Sequence, residues 1–546
     1  MPTDMNVPPE LVESEPATIP FTLSEQSMAL YPPLENHAGA YPKLSTPTCA
    51  PTPNTAVAID DAGMGSNSDE EAYPLCALKK GVRTDSYGAF DVSDGEDAFP
   101  LSSKAANRSA SNLMMLAAQS YPPPPHRHGP IVIVSSYTNF SDLAHGPRGL
   151  EATRAVRTYR LDMVDGALTL LSAVPEGLLH NPAFSRRHPS LNVVYACTES
   201  VQEDGQVVAL ELDGKNGALK ELCPPVSAGG TSTCFLTIHK KARRMLLCNY
   251  WDSTIVTLEL LPDGKLGRQL SLYDPKNGKP MKARADKHVN HSLNDENAQA
   301  ERQGDPHSHA IVLEPRMGCM AYVPDLGMDV IRQFWFDEES GCVTPCGVVS
   351  SGIKVGRRGL GPRYIVFNET LHACYVVNEL SSQVAVFKYH DDVVEAAAKA
   401  MAAAPTAEAK DAIVSAMAPT LTLVQTVSTV PEAFPSEMNT CGRVALHPSG
   451  NFVVTSNRGH DSVAVHRIHR DSTPPGMLTL AGIFHTRGET PRHFQFDRSG
   501  QWLLVANQDS NTTAVFAFNV ATGRVTYTGN TYPCPSPNFV CVWDGA

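Results

Sequence analysis

Phe452-Val-Val-Thr-Ser-Asn457, followed after a four-residue turn by Ser462-Val-Ala-Val-His466, is the stretch whose reading decides the architecture. An apolar run closes on a polar residue, the chain reverses, and an alternating strand returns, which is the pattern of a β-hairpin half-covered on its second arm. The unit recurs as Leu246-Leu-Cys-Asn249 before Ser253–Leu260, and as Ala321-Tyr-Val-Pro-Asp325 before Asp329–Phe336. It recurs again as Cys374-Tyr-Val-Val-Asn378 before Gln383–Phe387 and as Leu503-Leu-Val-Ala-Asn507 before Thr513–Phe518. Ile131–Ser136 and Val193–Glu199 are weaker copies.

The markers Asn249, Asp325, Asn378, Asn457 and Asn507 stand 76, 53, 79 and 50 residues apart, a period near 50 broken by two insertions. One insertion is the polar stretch near 276–304. The other is the Ala-rich stretch near 394–418, whose helical propensity predicts one surface helix or two. Several short strands in a unit of this length form a propeller blade rather than a helical solenoid repeat. With the weaker copies the units number seven, and the strand-like Asn538–Trp543 at the end of the chain is suited to completing the first blade and closing the ring. The expected fold is all-β: a seven-bladed β-propeller of four-stranded blades over 128–546, with its site at the mouth of a central channel.

Residues 1–127 read differently. They are rich in Pro, Ser, Ala and Asp, end in Tyr121-Pro-Pro-Pro-Pro-His126, and show no useful apolar period. Such a segment buries too little apolar surface to offset its ordering entropy and is expected to be a long disordered tail, of unknown partners. Its first residues include Asp4, Glu10, Glu13 and Glu15 and no signal-peptide core. No run approaches the roughly 18–20 apolar residues that cross a bilayer. A cytoplasmic protein without membrane partners is expected.

Composition narrows the function further. The chain has 546 residues, 42% apolar and 18% charged, with 43 prolines and 38 glycines, which suits a large turn-rich fold. A net charge of −13 argues against a nucleic-acid surface. The basic run His239-Lys-Lys-Ala-Arg-Arg244 reads as a solvated turn. Thirteen cysteines are scattered singly with no CxxC pair, a distribution that fits a reducing compartment; Cys197, Cys248 and Cys374 sit in apolar runs as small hydrophobes. Gly356-Arg-Arg-Gly-Leu-Gly361 imitates a dinucleotide fingerprint but opens no predicted helix, and no GxSxG elbow exists.

Some blades open with residues a plain repeat does not need. Gly361-Pro-Arg363 and Thr490-Pro-Arg492 each set an Arg directly after a Pro where the innermost strand begins, aiming the guanidinium at the axis. Asp305-Pro-His307-Ser-His309 brings imidazoles, and Glu379 follows Asn378. Two guanidiniums, an imidazole and a carboxylate on neighbouring blades suit an anionic substrate, since Arg binds phosphate or carboxylate through two parallel hydrogen bonds. For a lactone, His309 or Glu379 deprotonates water while an Arg holds the oxyanion. The His-x-His pair lacks the further ligands of a metal site, and no cofactor is expected.

These same residues carry a family resemblance. The Gly-Pro-Arg363-Tyr-x-x-Phe and Val-Asn-Glu379-Leu-Ser-Ser blocks, Pro-Arg492-His-Phe, His309-Ala-Ile-Val-Leu-Glu-Pro with Tyr322-Val-Pro-Asp325-Leu-Gly, and Asn181-Pro-Ala-Phe resemble the lactonase family of seven-bladed β-propellers over about 129–546. That superfamily holds the bacterial-type 6-phosphogluconolactonases and the fungal carboxy-cis,cis-muconate cyclases. The resemblance implies a metal-independent lactone hydrolase of the pentose phosphate pathway with His309, Arg363, Glu379 and Arg492 as catalytic residues. His307, Asn378, Arg443 and Arg458 are the expected substrate-binding neighbours, and the partner is a small anionic sugar lactone. Arg443 stands where relatives commonly carry an acidic residue. A muconate-type cycloisomerase and a non-catalytic interaction scaffold are the alternatives.

Overall fold

The computed structural model of the protein describes residues 129–276, 302–354 and 359–545. The expected tail, most of the insertion near 276–304, and part of the Gly356–Gly361 run lie outside the described residues.

The repeated unit is the second and third strand of each blade: Phe452–Arg458 pairs antiparallel with Ser462–His469, with Asn457 opposite Ser462. A strand before it and a strand after it complete each of seven antiparallel sheets among the described residues, so the chain forms a seven-bladed β-propeller of four-stranded blades. In blade two a short extra strand, Val226–Ser227, also pairs with the third strand.

Burial follows position in the blade. Second strands such as Ala373–Asn378 and Trp502–Asn507 are buried at every residue, because adjacent blades cover both faces and a two-sided strand must be apolar throughout. Outermost strands such as Leu421–Ser428 and Met477–His485 are mostly half-exposed or exposed. The last strand, Pro537–Trp543, pairs with Ile131–Ser136, Val540 opposite Val134, and becomes the innermost strand of blade one. The ring therefore closes with its two ends hydrogen-bonded, leaving no free sheet edge there.

The Asn markers are braces. Each donates its side-chain amide to a carbonyl of the segment leading into its own blade: Asn249 to Ala228 at 2.9 Å, Asn378 to Ser351 at 3.0 Å, Asn457 to Thr429 at 2.7 Å and Asn507 to Thr486 at 2.8 Å. The Ala-rich insertion forms two helices, α1 (Asp391–Ala403) and α2 (Ala407–Ser415). They are separated at Pro405, which cannot continue a helix, and Thr406 caps α2 by accepting the Ala409 N–H. Val394, Ala397 and Val414 seat the pair against blades four and five. The run 239–244 is the turn between the first two strands of blade three.

Candidate active site

The start of the innermost strand is irregular in blade after blade. Register slips across Pro182/Phe184, Pro362/Tyr364, Cys441/Val444 and Pro491/His493, and equivalent slips skip Cys234 and Asn538. In blade four the bridge Ser308–Asp325 and the pair Val312–Tyr322 differ by one residue, with His309 just inside. A β-bulge leaves one residue unpaired and re-aims its side chain. Here the extra residues Ala183, Cys234, His309, Arg363, Arg492 and Asn538 all line one cavity at the channel mouth. The proline before each Arg lacks an N–H and costs the ladder nothing at such a slip.

A second ring comes from the residue after the Asn marker or its equivalent. Glu199, Tyr250, Glu379 and Arg458 occupy this position in blades two, three, five and six and, with Arg302 from the end of the 276–304 insertion, line an adjoining space that shares Glu199, Cys234, His309, Arg363 and Arg492 with the first. The space is about 460 Å³ including its part open to solvent. Four guanidiniums and two carboxylates surround it, so it carries a net positive charge.

Glu379 is the buried anchor of three of these cations. Its Oε2 accepts from Arg363 Nε at 2.8 Å and pairs with Arg458 at 3.0 Å, and Arg302 closes on Oε1. Burial alone pushes this carboxyl up, but Arg458, Arg302 and Arg363 together hold it well below the usual carboxylate range. Arg363 also donates to the Gly442 carbonyl at 2.9 Å. A Cβ at Gly442 would stand 2.5 Å from Ser456 Oγ and 2.9 Å from the Arg492 carbonyl, so the glycine admits this close approach. Arg492 makes no ion pair among the described residues. It donates to the Tyr137 hydroxyl at 2.9 Å, which donates to Glu199 Oε2 at 2.7 Å.

His309 is held edge-on between Tyr250 and Tyr364, ring centroids 5.3 and 5.4 Å away, and its Nδ1 is buried without a hydrogen-bond partner. Burial and then the charge of Arg363 drive its pKa well below 6.5, so the imidazole is neutral. This neutral ring lines the cavity beside Arg363.

The chain matches the family described as Lactonase, 7-bladed beta-propeller, over residues 131–418 and 411–542. It belongs to that family. Two relatives are the 6-phosphogluconolactonase of Bacillus subtilis, 26% identical over 67% of this chain and 87% of the relative, and that of Formosa agariphila, 26% identical over 68% and 90%. The solved periplasmic gluconolactonase of Pseudomonas aeruginosa superposes with a TM-score of 0.58 at 21% identity, over 76% of this chain and 99% of its own. A Lactobacillus plantarum structure gives 0.56 at 20% identity, over 76% and 99%.

Of the residues expected in this lactonase-family site, His309, Arg363, Glu379, Arg492 and Arg458 meet around the cavity. Three do not line it. Asn378 is spent on the Ser351 carbonyl. His307 stacks on Tyr250 and Trp251, both centroids at 5.0 Å, and its pKa falls to about 4, first through burial. Arg443 stands one residue beyond the bulge, beneath the cavity rather than in it, on Gln495 and His493. Sequence reasoning missed Glu199, Tyr137, Tyr250, Cys234, Asn538 and Arg302. Glu199 was findable, since it follows a weak repeat copy as Glu379 follows a strong one; Arg302 has no repeat position to betray it.

Proposed function

We propose that the chain hydrolyses a phosphorylated sugar lactone, 6-phospho-D-glucono-1,5-lactone, to 6-phosphogluconate in the cytoplasmic pentose phosphate pathway. The observation carrying this reading is the cavity itself: guanidiniums in excess of carboxylates beside the neutral imidazole of His309. A phosphate dianion offsets the excess, and Arg492, without an ion pair among the described residues, suits it. The two relatives named 6-phosphogluconolactonase support the same substrate.

In this reading the neutral imidazole of His309 takes a proton from water as the water oxygen bonds to the lactone carbonyl carbon. The carbonyl electron pair moves onto its oxygen, and Arg363, beside His309, holds the resulting oxyanion. Collapse breaks the bond from that carbon to the ring oxygen, which leaves with the proton His309 returns. Glu379 is a positioning residue: three arginines occupy it and keep it ionised, and its charge favours the transient imidazolium.

The test is the hydrolysis rate of freshly generated 6-phosphogluconolactone above its spontaneous background. Wild type accelerates it, and Arg363→Ala and His309→Ala each lower kcat by about 10²–10³ with folding unchanged. No acceleration by the wild type overturns the reading and directs the assay to muconate substrates.

A further inference from the structure

Directly after each bulge residue comes the floor of the cavity. Tyr364, Phe235, Phe184, Phe539 and His493 follow one another around the channel, with centroid separations of 5.5, 4.3, 4.6 and 3.9 Å. In blade six the same position is Arg443. In blade two, Arg186 lies one strand step deeper than Phe184, its Cζ 5.4 and 5.5 Å from the rings of Phe184 and Phe235.

These two guanidiniums are unlike those above. Arg186 spends only Nε, on the Leu236 carbonyl at 3.0 Å. Arg443 gives NH2 to Gln495 at 3.0 Å, and its buried Nε has no partner. Among the described residues neither makes an ion pair with a carboxylate; burial lowers both, and repulsion from Arg186 lowers Arg443 further. Cations kept in a channel without a counter-charge are unfavourable unless an anion reaches them, and both side chains are partly exposed although neither lines the upper cavity.

The imidazole beside them points the same way. His493 Nδ1 accepts the Val540 N–H at 3.1 Å, so the ring proton sits on Nε2. That Nε2 contacts Arg443 NH1, setting donor against donor. The cluster offers N–H groups and no acceptor of its own.

We propose that Arg186, Arg443 and His493 form a second oxyanion site in the central channel, beneath the lactone cavity, for a small tetrahedral dianion of the phosphate class. Forked guanidiniums match its oxygens, and the anion supplies the acceptor that Arg443 and His493 both lack.

The experiment is thermal unfolding of the full chain with inorganic phosphate against chloride at equal ionic strength. Phosphate at about 100 times its Kd raises the wild-type Tm by several degrees. A rise persists in Arg363→Gln/Arg492→Gln, which removes the upper-cavity cations that also attract phosphate, and it vanishes when Arg186→Gln or Arg443→Gln is added to that variant. Each rise is read within one variant, so altered basal stability cancels; Arg186→Lys, keeping charge without the fork, shows a reduced rise. No rise in the wild type, a rise lost in the upper-cavity variant, or one that survives adding both Arg186→Gln and Arg443→Gln to that variant overturns the site.

Discussion

Blades five and seven begin alike and end up chemically different. Pro362-Arg363 and Pro491-Arg492 share a sequence, a bulge and a direction into the channel. Arg363 meets a carboxylate shared with Arg302 and Arg458, whereas Arg492 meets a phenol and reaches Glu199 only through it. The same local device thus makes one guanidinium part of a buried ion network and leaves the other without a direct counter-charge. Backbone geometry decides where an Arg points; the neighbouring blade decides what its charge can do.

The contrast breaks most severely at Glu379. Glu379→Gln strands three buried guanidiniums and is expected to cost about 3–5 kcal/mol in urea unfolding; a loss comparable to that of an exposed pair contradicts the anchor role.

It sharpens at His309, whose lowered pKa owes more to Arg363 than to Arg492. Arg363→Gln is expected to raise the imidazole pKa more than Arg492→Gln does, read by NMR titration; equal shifts remove the distinction. The neutral imidazole stabilises the fold fully above its unfolded pKa of about 6.5, and that contribution is lost as pH falls toward the lower folded value. Raising the folded pKa narrows this window.

The smallest effect lies on the blade-seven side. Tyr137→Phe removes the hydroxyl between Arg492 and Glu199 and is expected to cost about 1–2 kcal/mol, less than Glu379→Gln; a larger loss makes the two networks equivalent in weight.

How much of this was legible follows from distance along the chain. Arg363 and Glu379 lie 16 residues apart in one blade, and each was legible as a candidate site residue, though not as partners of one another. Arg492 and Tyr137 lie 355 apart and meet only because the ring closes. Asn378 stands outside the cavity lining; a residue that braces a blade marks the repeat as visibly as one that binds. Arg443 was placed in the site because a one-residue step past a bulge turns a side chain from the cavity to the floor, which residue type cannot announce.

By itself the sequence determined the blade period, the two-sided apolar second strands, ring closure by Asn538–Trp543 and the positions where cations enter the channel. These rest on local alternation and turn chemistry, which act over a few residues. Only the tertiary structure decided which charges are paired, which imidazole is neutral and which guanidiniums lack a counter-ion, because pairing and desolvation depend on what the neighbouring blades bring within a few ångströms.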